Sequence, residues 1–249
     1  MLCRLPQLIK LDDYSSEVEI KKELMYGYKD YWELLGITNS RTVLNCRDKN
    51  IRDEIHNIFN GGILERGDHS PWNYQFQYYL SSWFEESGFK VSLEEPDFKF
   101  IHKGRSYGVA AKRLNGKGNI SDNIRKAEKQ IQATSHYGFI ALCLDNLHKL
   151  INQNILSFNN PDKSIRDAED IVNTILRSYL KSSNFTSRTS QILGIIAVVS
   201  FPYYLYSGKP TFELGYTSYL SFLPIQSYDS PEWNEVISIQ SHIKRVRLS

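Results

Sequence analysis

The chain has 249 residues and a formal net charge of only +2, so any surface for nucleic acid must be local and not global. Hydrophobic residues make up 41% of the sequence, which is enough for the core of one large domain or of a core domain with an added segment. The three cysteines are irregularly spaced, and no apolar stretch reaches the roughly 18 residues of a membrane span, so we expect a cytoplasmic protein without disulfides.

The first 70 residues are predicted to be helical. Apolar side chains recur near helical spacing over residues 17–35, and Gly36 is a plausible stop. A second, shorter helix is predicted over residues 52–59. We therefore divide the chain into a helical N-terminal segment, residues 1–70, and a main domain, residues 71–249.

The main domain begins with a strongly amphipathic helix whose apolar face runs from Phe76 to Phe84, and Gly88 ends it. Alternating apolar and polar residues then predict three strands in succession. These strands cover residues 89–93, 97–101 and 106–114.

The rest of the chain alternates helical and strand patterns, which predicts the α/β class. Apolar residues at intervals of four and three predict a helix over residues 120–135, and the near-continuous apolar run that follows predicts a buried strand. A capping pattern at Ser164 predicts the start of another helix. The remaining predicted strands are a buried one at 138–145, a second buried one at 192–199 and an aromatic strand pair at 212–223.

Three elements of the main domain carry a recognisable pattern. Pro96-Asp97 opens one strand, Lys112 closes the next strand fifteen residues later, and a helix with Glu128 and Gln130 follows. This order resembles the PD-(D/E)XK, or restriction-endonuclease-like, nuclease superfamily over about 75 residues. The resemblance implies a core of helix, three-strand meander, helix and strand.

The resemblance also implies a reaction, the metal-dependent hydrolysis of phosphodiester bonds. Hard divalent cations such as Mg²⁺ or Mn²⁺ stabilise the charge that builds on phosphate oxygens and lower the pKa of the attacking water. Asp97 would hold the metal, the backbone carbonyl of Ala111 would add a ligand, and Lys112 would position or activate the water.

One acid of the family pattern is missing, because Ala110 stands where the carboxylate two residues before the lysine is expected. Glu128 of the following helix, or Glu95 beside the Pro-Asp, would then supply the second carboxylate. Glu128 could instead form a salt bridge with basic neighbours. Gln130 would form a hydrogen bond with a phosphate or with a water of the site. The alternative is that Gln130 is an exposed polar residue. Gln77 occupies the region where many members carry a glutamate.

We therefore expect an endonuclease that acts on DNA in preference to RNA, with a role in restriction or phage defence, as a homodimer or in a larger defence complex. The alternative is a catalytically inactive nuclease-like fold that serves as a nucleic-acid-binding or assembly subunit, which the losses at Ala110 and Gln77 favour. A third possibility is an unrelated α/β binding module in which the motif is a coincidence.

Overall fold

The fold is described from a computed structural model of the chain. The residues that the structure describes are 17–60, 69–116, 119–134, 136–147, 157–158, 161–182, 190–206, 212–243 and 247–248. Residues 1–16 and 61–68 of the predicted N-terminal segment lie outside these ranges.

Seven α-helices and eight strands are present in this part of the chain. The helices are α1 Glu17–Asn39, α2 Arg41–Leu44, α3 Lys49–Ile58, α4 Ser70–Glu86, α5 Ile120–Ala133, α6 Pro161–Ser182 and α7 Pro231–His242. The strands are β1 Lys90–Ser92, β2 Phe98–His102, β3 Arg105–Arg113, β4 Tyr137–Cys143, β5 Ser157–Phe158, β6 Ile192–Tyr206, β7 Phe212–Pro224 and β8 Arg247–Leu248.

The strands form one mixed sheet in the order β1-β2-β3-β4-β6-β7-β8, with β5 paired to β6 off this path. Strands β1, β2 and β3 form an antiparallel meander, whereas β3, β4 and β6 are parallel neighbours. A parallel pair needs a crossover connection, and α5 supplies it between β3 and β4. The protein is therefore α/β, as the sequence predicts, and α4, β1–β3, α5 and β4 follow one another in the predicted order.

Helices cover both faces of the sheet, and each face has its own hydrophobic core. We call the first the α4 layer, in which buried residues of α1, α3, α4 and α7 pack on the sheet. The second is the α5 layer, in which α5 and α6 pack on the other face. Because side chains alternate along a strand, Val109 of β3 belongs to the α4 layer and Ala110 to the α5 layer.

Aromatic contacts in the α4 layer fix the strand that follows the Pro-Asp. The ring of Phe84 lies 4.7 Å from that of Phe100 and 5.5 Å from that of Phe98, measured between centroids. Such pairs contribute about 0.5–1.5 kcal/mol each beyond the area they bury. This packing places the start of β2, and with it Asp97, against the end of β3.

The structure corrects several predicted boundaries. Gly36 does not end α1, which continues to Asn39. The glycine instead serves packing, since a Cβ at Gly36 would lie 3.3 Å from the ring of Tyr79, and its absence lets α1 approach α4 closely. Helix α6 begins at Pro161, so Ser164 lies inside it. Residues 212–223 belong to one long strand, β7, because the whole segment pairs with β6, the strand before it, and not with itself. Helix α7 was not predicted.

The N-terminal helices share the core of the sheet. Leu34 and Ile37 of α1 and Ile58 of α3 are buried in the α4 layer together with residues of α4 and β2. Among the described helices, none combines the length and the apolar character that crossing a bilayer requires.

Candidate active site

Asp97 and Lys112 meet at one edge of the sheet. Asp97 directly precedes β2, Lys112 is the next-to-last residue of β3, and Lys112 Nζ lies 3.3 Å from Asp97 Oδ2. Both side chains are largely buried, with exposed fractions of 18% for Lys112 and 14% for Asp97. The sequence predicts this approach from the positions of the two residues at the start and end of adjacent strands.

The backbone of Ala111 also faces this edge. Its N–H donates a 2.6 Å hydrogen bond to Asp97 Oδ2. The N–H and carbonyl of one strand residue point toward the same neighbour, so the carbonyl of Ala111 faces the side on which Asp97 lies. Pairing with β2 has already ended, at Phe98 opposite Val109, which leaves this edge of β3 open.

Burial raises the pKa of Asp97 from 3.8 to about 6. The Lys112 ammonium and the Ala111 N–H both lower the pKa, and the nearby Glu95 carboxylate raises it, but the loss of hydration dominates. Asp97 is therefore ionised at neutral pH yet carries a charge that its surroundings only partly compensate. A carboxylate of this kind is suited to binding a cation.

Two glutamines from opposite layers hold the Pro-Asp segment in place. Gln77 of α4 donates from Nε2 to the carbonyl of Asp97 at 3.3 Å, and Gln130 of α5 donates from Nε2 to the carbonyl of Pro96 at 3.3 Å. Gln130 Oε1 is buried without a hydrogen-bond partner among the described residues. The structure thus gives both glutamines a role in fixing the loop, and it leaves one polar atom of Gln130 available.

The two candidate second carboxylates differ in environment. Glu128 is buried, with 8% of the residue exposed, and its Oε1 lacks a hydrogen-bond partner in the described part of the chain. The salt bridge considered for Glu128 is not formed, and its neighbour Arg125 pairs with Asp122 instead. Glu95 is exposed. A buried carboxylate oxygen without a partner is free to accept a ligand, which makes Glu128 the stronger candidate.

Ala110 lies in the α5 layer, completely buried beside residues of α5. Its neighbour on the same face, Gly108, has no room for a side chain, because a Cβ there would lie 2.8 Å from Pro96 Cδ. The face of β3 that carries Ala110 is therefore filled by Pro96 and α5. The position where the family pattern has an acid is part of the core in this chain.

The oxygen donors at this edge fit the chemistry of a hard divalent cation only in part. Asp97 Oδ1 and the carbonyl of Ala111 are oxygen ligands of the type that Mg²⁺ prefers, and Glu128 of α5 is a candidate predicted from the sequence for a further one. However, the described residues contain no cluster of three or more Asp, Glu, His or Cys side chains arranged to hold a metal. Asp97 and the carbonyl of Ala111 are thus the ligands that the edge itself offers, and a second carboxylate would have to come from Glu128 or Glu95, with water completing the coordination.

A second polar cluster, on the α4 side of the same sheet end, was not predicted. Asp145, just beyond β4, accepts the backbone N–H of Ser200 at 2.8 Å and lies 3.2 Å from Lys29 Nζ of α1. Lys29 also pairs with Glu33 at 2.6 Å. These charged side chains are almost fully buried. The signal in the sequence was a single acid directly after a continuous apolar strand, a place where α/β proteins often carry polar residues.

This buried ion network contains more groups from α4 and the long strands. Gln75 donates from Nε2 to Glu33 at 2.6 Å and to Asp30 at 3.0 Å, and the hydroxyl of Tyr216 donates to Glu33 at 3.3 Å. Burial lowers the pKa of Lys29, but the carboxylates of Glu33 and Asp145 outweigh it and raise the pKa above its ordinary value. Lys29 is therefore charged, and the network joins α1 to the sheet by ion pairs.

No model of a known protein family matches the chain. The comparison with curated proteins likewise finds no relative by sequence. A function for this protein is therefore inferred from the geometry of the site and from the resemblance carried by the sequence motif.

Proposed function

We propose that this protein is a metal-dependent endonuclease with a PD-(D/E)XK-like core that hydrolyses phosphodiester bonds, with DNA as the preferred substrate. The observation that carries the proposal is the contact between Asp97 and Lys112 at the open edge of β3. A carboxylate and a lysine side by side at a sheet edge where strand pairing has ended are the two groups that this chemistry needs first. The order of α4, β1–β3, α5 and β4 supports the same reading.

Each residue has a part in the proposed reaction. Asp97, the carbonyl of Ala111 and Glu128 would hold Mg²⁺ or Mn²⁺, with Glu95 as the alternative to Glu128. The ion, when bound, would neutralise charge on the phosphate and acidify the attacking water. Lys112 would donate a hydrogen bond to that water or to a non-bridging phosphate oxygen and orient the attack. Gln130, through its unpartnered Oε1, would accept a hydrogen bond from a water at the same edge.

A panel of substrates tests the proposal. The wild-type protein should nick or cut plasmid and linear DNA in the presence of Mn²⁺ or Mg²⁺, with weaker cleavage of RNA, and a chelator should stop the reaction. Absence of cleavage for every substrate with both metals would count against it. The proposed setting is restriction or phage defence in the cytoplasm, with a homodimer or a larger complex for paired cuts in duplex DNA.

The second candidate is a catalytically inactive fold that binds nucleic acid or assembles with partners. It is favoured by the state of Asp97, whose Oδ2 is already bonded to Lys112 and to the Ala111 N–H, and by the burial of Ala110 in the core. Mobility shifts with DNA and RNA, measured with and without Mn²⁺, separate the two candidates. Binding that is independent of metal, together with no cleavage, supports the inactive fold.

A further inference from the structure

The last residues of β3 carry two consecutive cations that point to opposite faces of the sheet. Lys112 contacts Asp97 on one face, and Arg113 faces the buried ion network on the other. Arg113 Nη1 lies 3.8 Å from Asp145 Oδ2 and donates to Cys143 Sγ at 3.7 Å. Only 7% of the Arg113 side chain and 4% of the Asp145 side chain are exposed.

This end of β3 is supported along one edge by strand pairing and lacks it along the other. Lys112 and Arg113 pair with Leu142 and Cys143 of β4, but the register with β2 stops at Val109. The side chain of Arg113 therefore provides an attachment that strand pairing does not. Asp145 makes that attachment rigid, because the same carboxylate is bound to Lys29 of α1 and to the backbone of Ser200.

We infer that Arg113, held by Asp145, is a positioning residue for Lys112, and that the buried ion network couples helix α1 to the candidate active site. The expected effect on the reaction rate rests on the proposed function, whereas the expected effect on the position of Lys112 does not. When Arg113 loses its anchor, the end of β3 gains freedom and Lys112 spends less time against Asp97. Displacements of about 1 Å at a reacting group can lower a rate by about a hundredfold.

The reactivity of the Lys112 amine toward an acylating reagent, read by mass spectrometry in the presence of a chelator, reports its placement without any need for catalysis. In Arg113→Gln the acylation rate of Lys112 should rise about threefold or more, toward the lower end of what a substitution in a coupled side-chain network does at a distant group. With DNA as substrate, kcat should fall at least about tenfold while KM changes little, because the loss falls on the transition state. Arg113→Lys, which keeps the charge, should recover part of both effects.

The matched control lies at the other end of the same strand. Tyr107→Phe removes the 2.8 Å hydrogen bond from the Tyr107 hydroxyl to Glu235, so it lowers stability without touching the network. Lys112 should react in this variant as it does in the wild type. If Arg113→Gln does not fold, Asp145→Asn takes its place, because it preserves shape and the bond from Ser200 while weakening the attraction to Arg113.

A folded Arg113→Gln or Asp145→Asn protein whose Lys112 reacts at the wild-type rate overturns the inference and leaves the network a purely stabilising feature. The proposed function fails separately. If the wild type cleaves no substrate and the reactivity of Lys112 still rises in the variants, Arg113 does position Lys112 but the nuclease assignment is wrong. If the wild type cleaves DNA and Lys112 reactivity is unmoved, the positioning falls and the nuclease assignment stands.

Discussion

Lys112 Nζ and Asp97 Oδ2 lie 3.3 Å apart, and the lysine thus supplies the positive charge nearest to a largely buried carboxylate. The compensation is incomplete, since burial still raises the pKa of Asp97 to about 6. Both described contacts reach the same oxygen, Oδ2, so Oδ1 remains available to a ligand. This relationship suits a site in which a divalent cation adds to the carboxylate while the lysine stays beside it.

Asp97→Asn should make the protein more stable at pH 8 in the presence of a chelator. A pKa raised from 3.8 to about 6 means that the native state disfavours the ionised form by on the order of 3 kcal/mol. The native state then holds more protons than the unfolded state between these pH values, so wild-type stability falls as pH rises through this window. We expect a gain of about 1–3 kcal/mol at pH 8, because the raised pKa already includes the attraction to Lys112.

Denaturant unfolding at pH 8 and pH 4 measures this difference. The gain should shrink toward zero at the lower pH, where the wild-type carboxyl is also protonated. Asp122→Asn is the control, because Asp122 belongs to an exposed pair with Arg125 and its loss should change stability little. A clear loss of stability in Asp97→Asn at pH 8 would show that Asp97 is a structural ion-pair partner.

Metal affinity should depend on pH through the same group. Protons compete with the cation for Asp97, so the apparent affinity for Mn²⁺ should fall by up to about tenfold per pH unit below a pKa of about 6. It should level off above that value. Calorimetric titration with Mn²⁺ from pH 5 to pH 8 gives the profile, and Asp97→Asn should abolish the binding. A flat profile with intact binding in the variant would place the ion elsewhere.

Glu128→Gln should weaken Mn²⁺ binding at least about tenfold, the range seen when supporting groups of a metal site are changed. The substitution preserves shape and Oε1 has no hydrogen bond to lose among the described residues, so metal-free stability should change little. Glu95→Gln is the matched comparison, because Glu95 is exposed near Asp97. The opposite outcome, with binding lost in Glu95→Gln and kept in Glu128→Gln, would assign the second carboxylate to Glu95.

Local patterns were sufficient to predict the elements that carry the candidate site. Alternation placed Asp97 at the beginning of one strand and Lys112 at the end of the next, and the intervals of α5 placed Glu128 near its buried face. The meander and the crossover helix then left few ways to arrange the four strands. The approach of Asp97 to Lys112 therefore follows from patterns that are local in the sequence.

The buried ion network could not be predicted in the same way. Lys29 and Glu33 are spaced four residues apart, which normally indicates an exposed pair on a helix surface. Their burial depends on Asp145, more than a hundred residues later, and no local pattern specifies that contact. The role of Gly36 could not be predicted either, because the ring that requires its small size belongs to Tyr79 of another helix.

The central claim is tested most directly by DNA cleavage with Lys112→Met beside the wild type. The substitution keeps the apolar stem of the side chain and removes the ammonium, so binding of DNA, which is spread over several phosphate contacts, should change little. Lys163→Met, on an exposed position of α6, controls for the loss of one positive charge. We expect Mn²⁺-dependent cleavage by the wild type and by Lys163→Met, and a loss of about a hundredfold or more in Lys112→Met. Equal cleavage by all three proteins, or none by the wild type, would contradict the proposal.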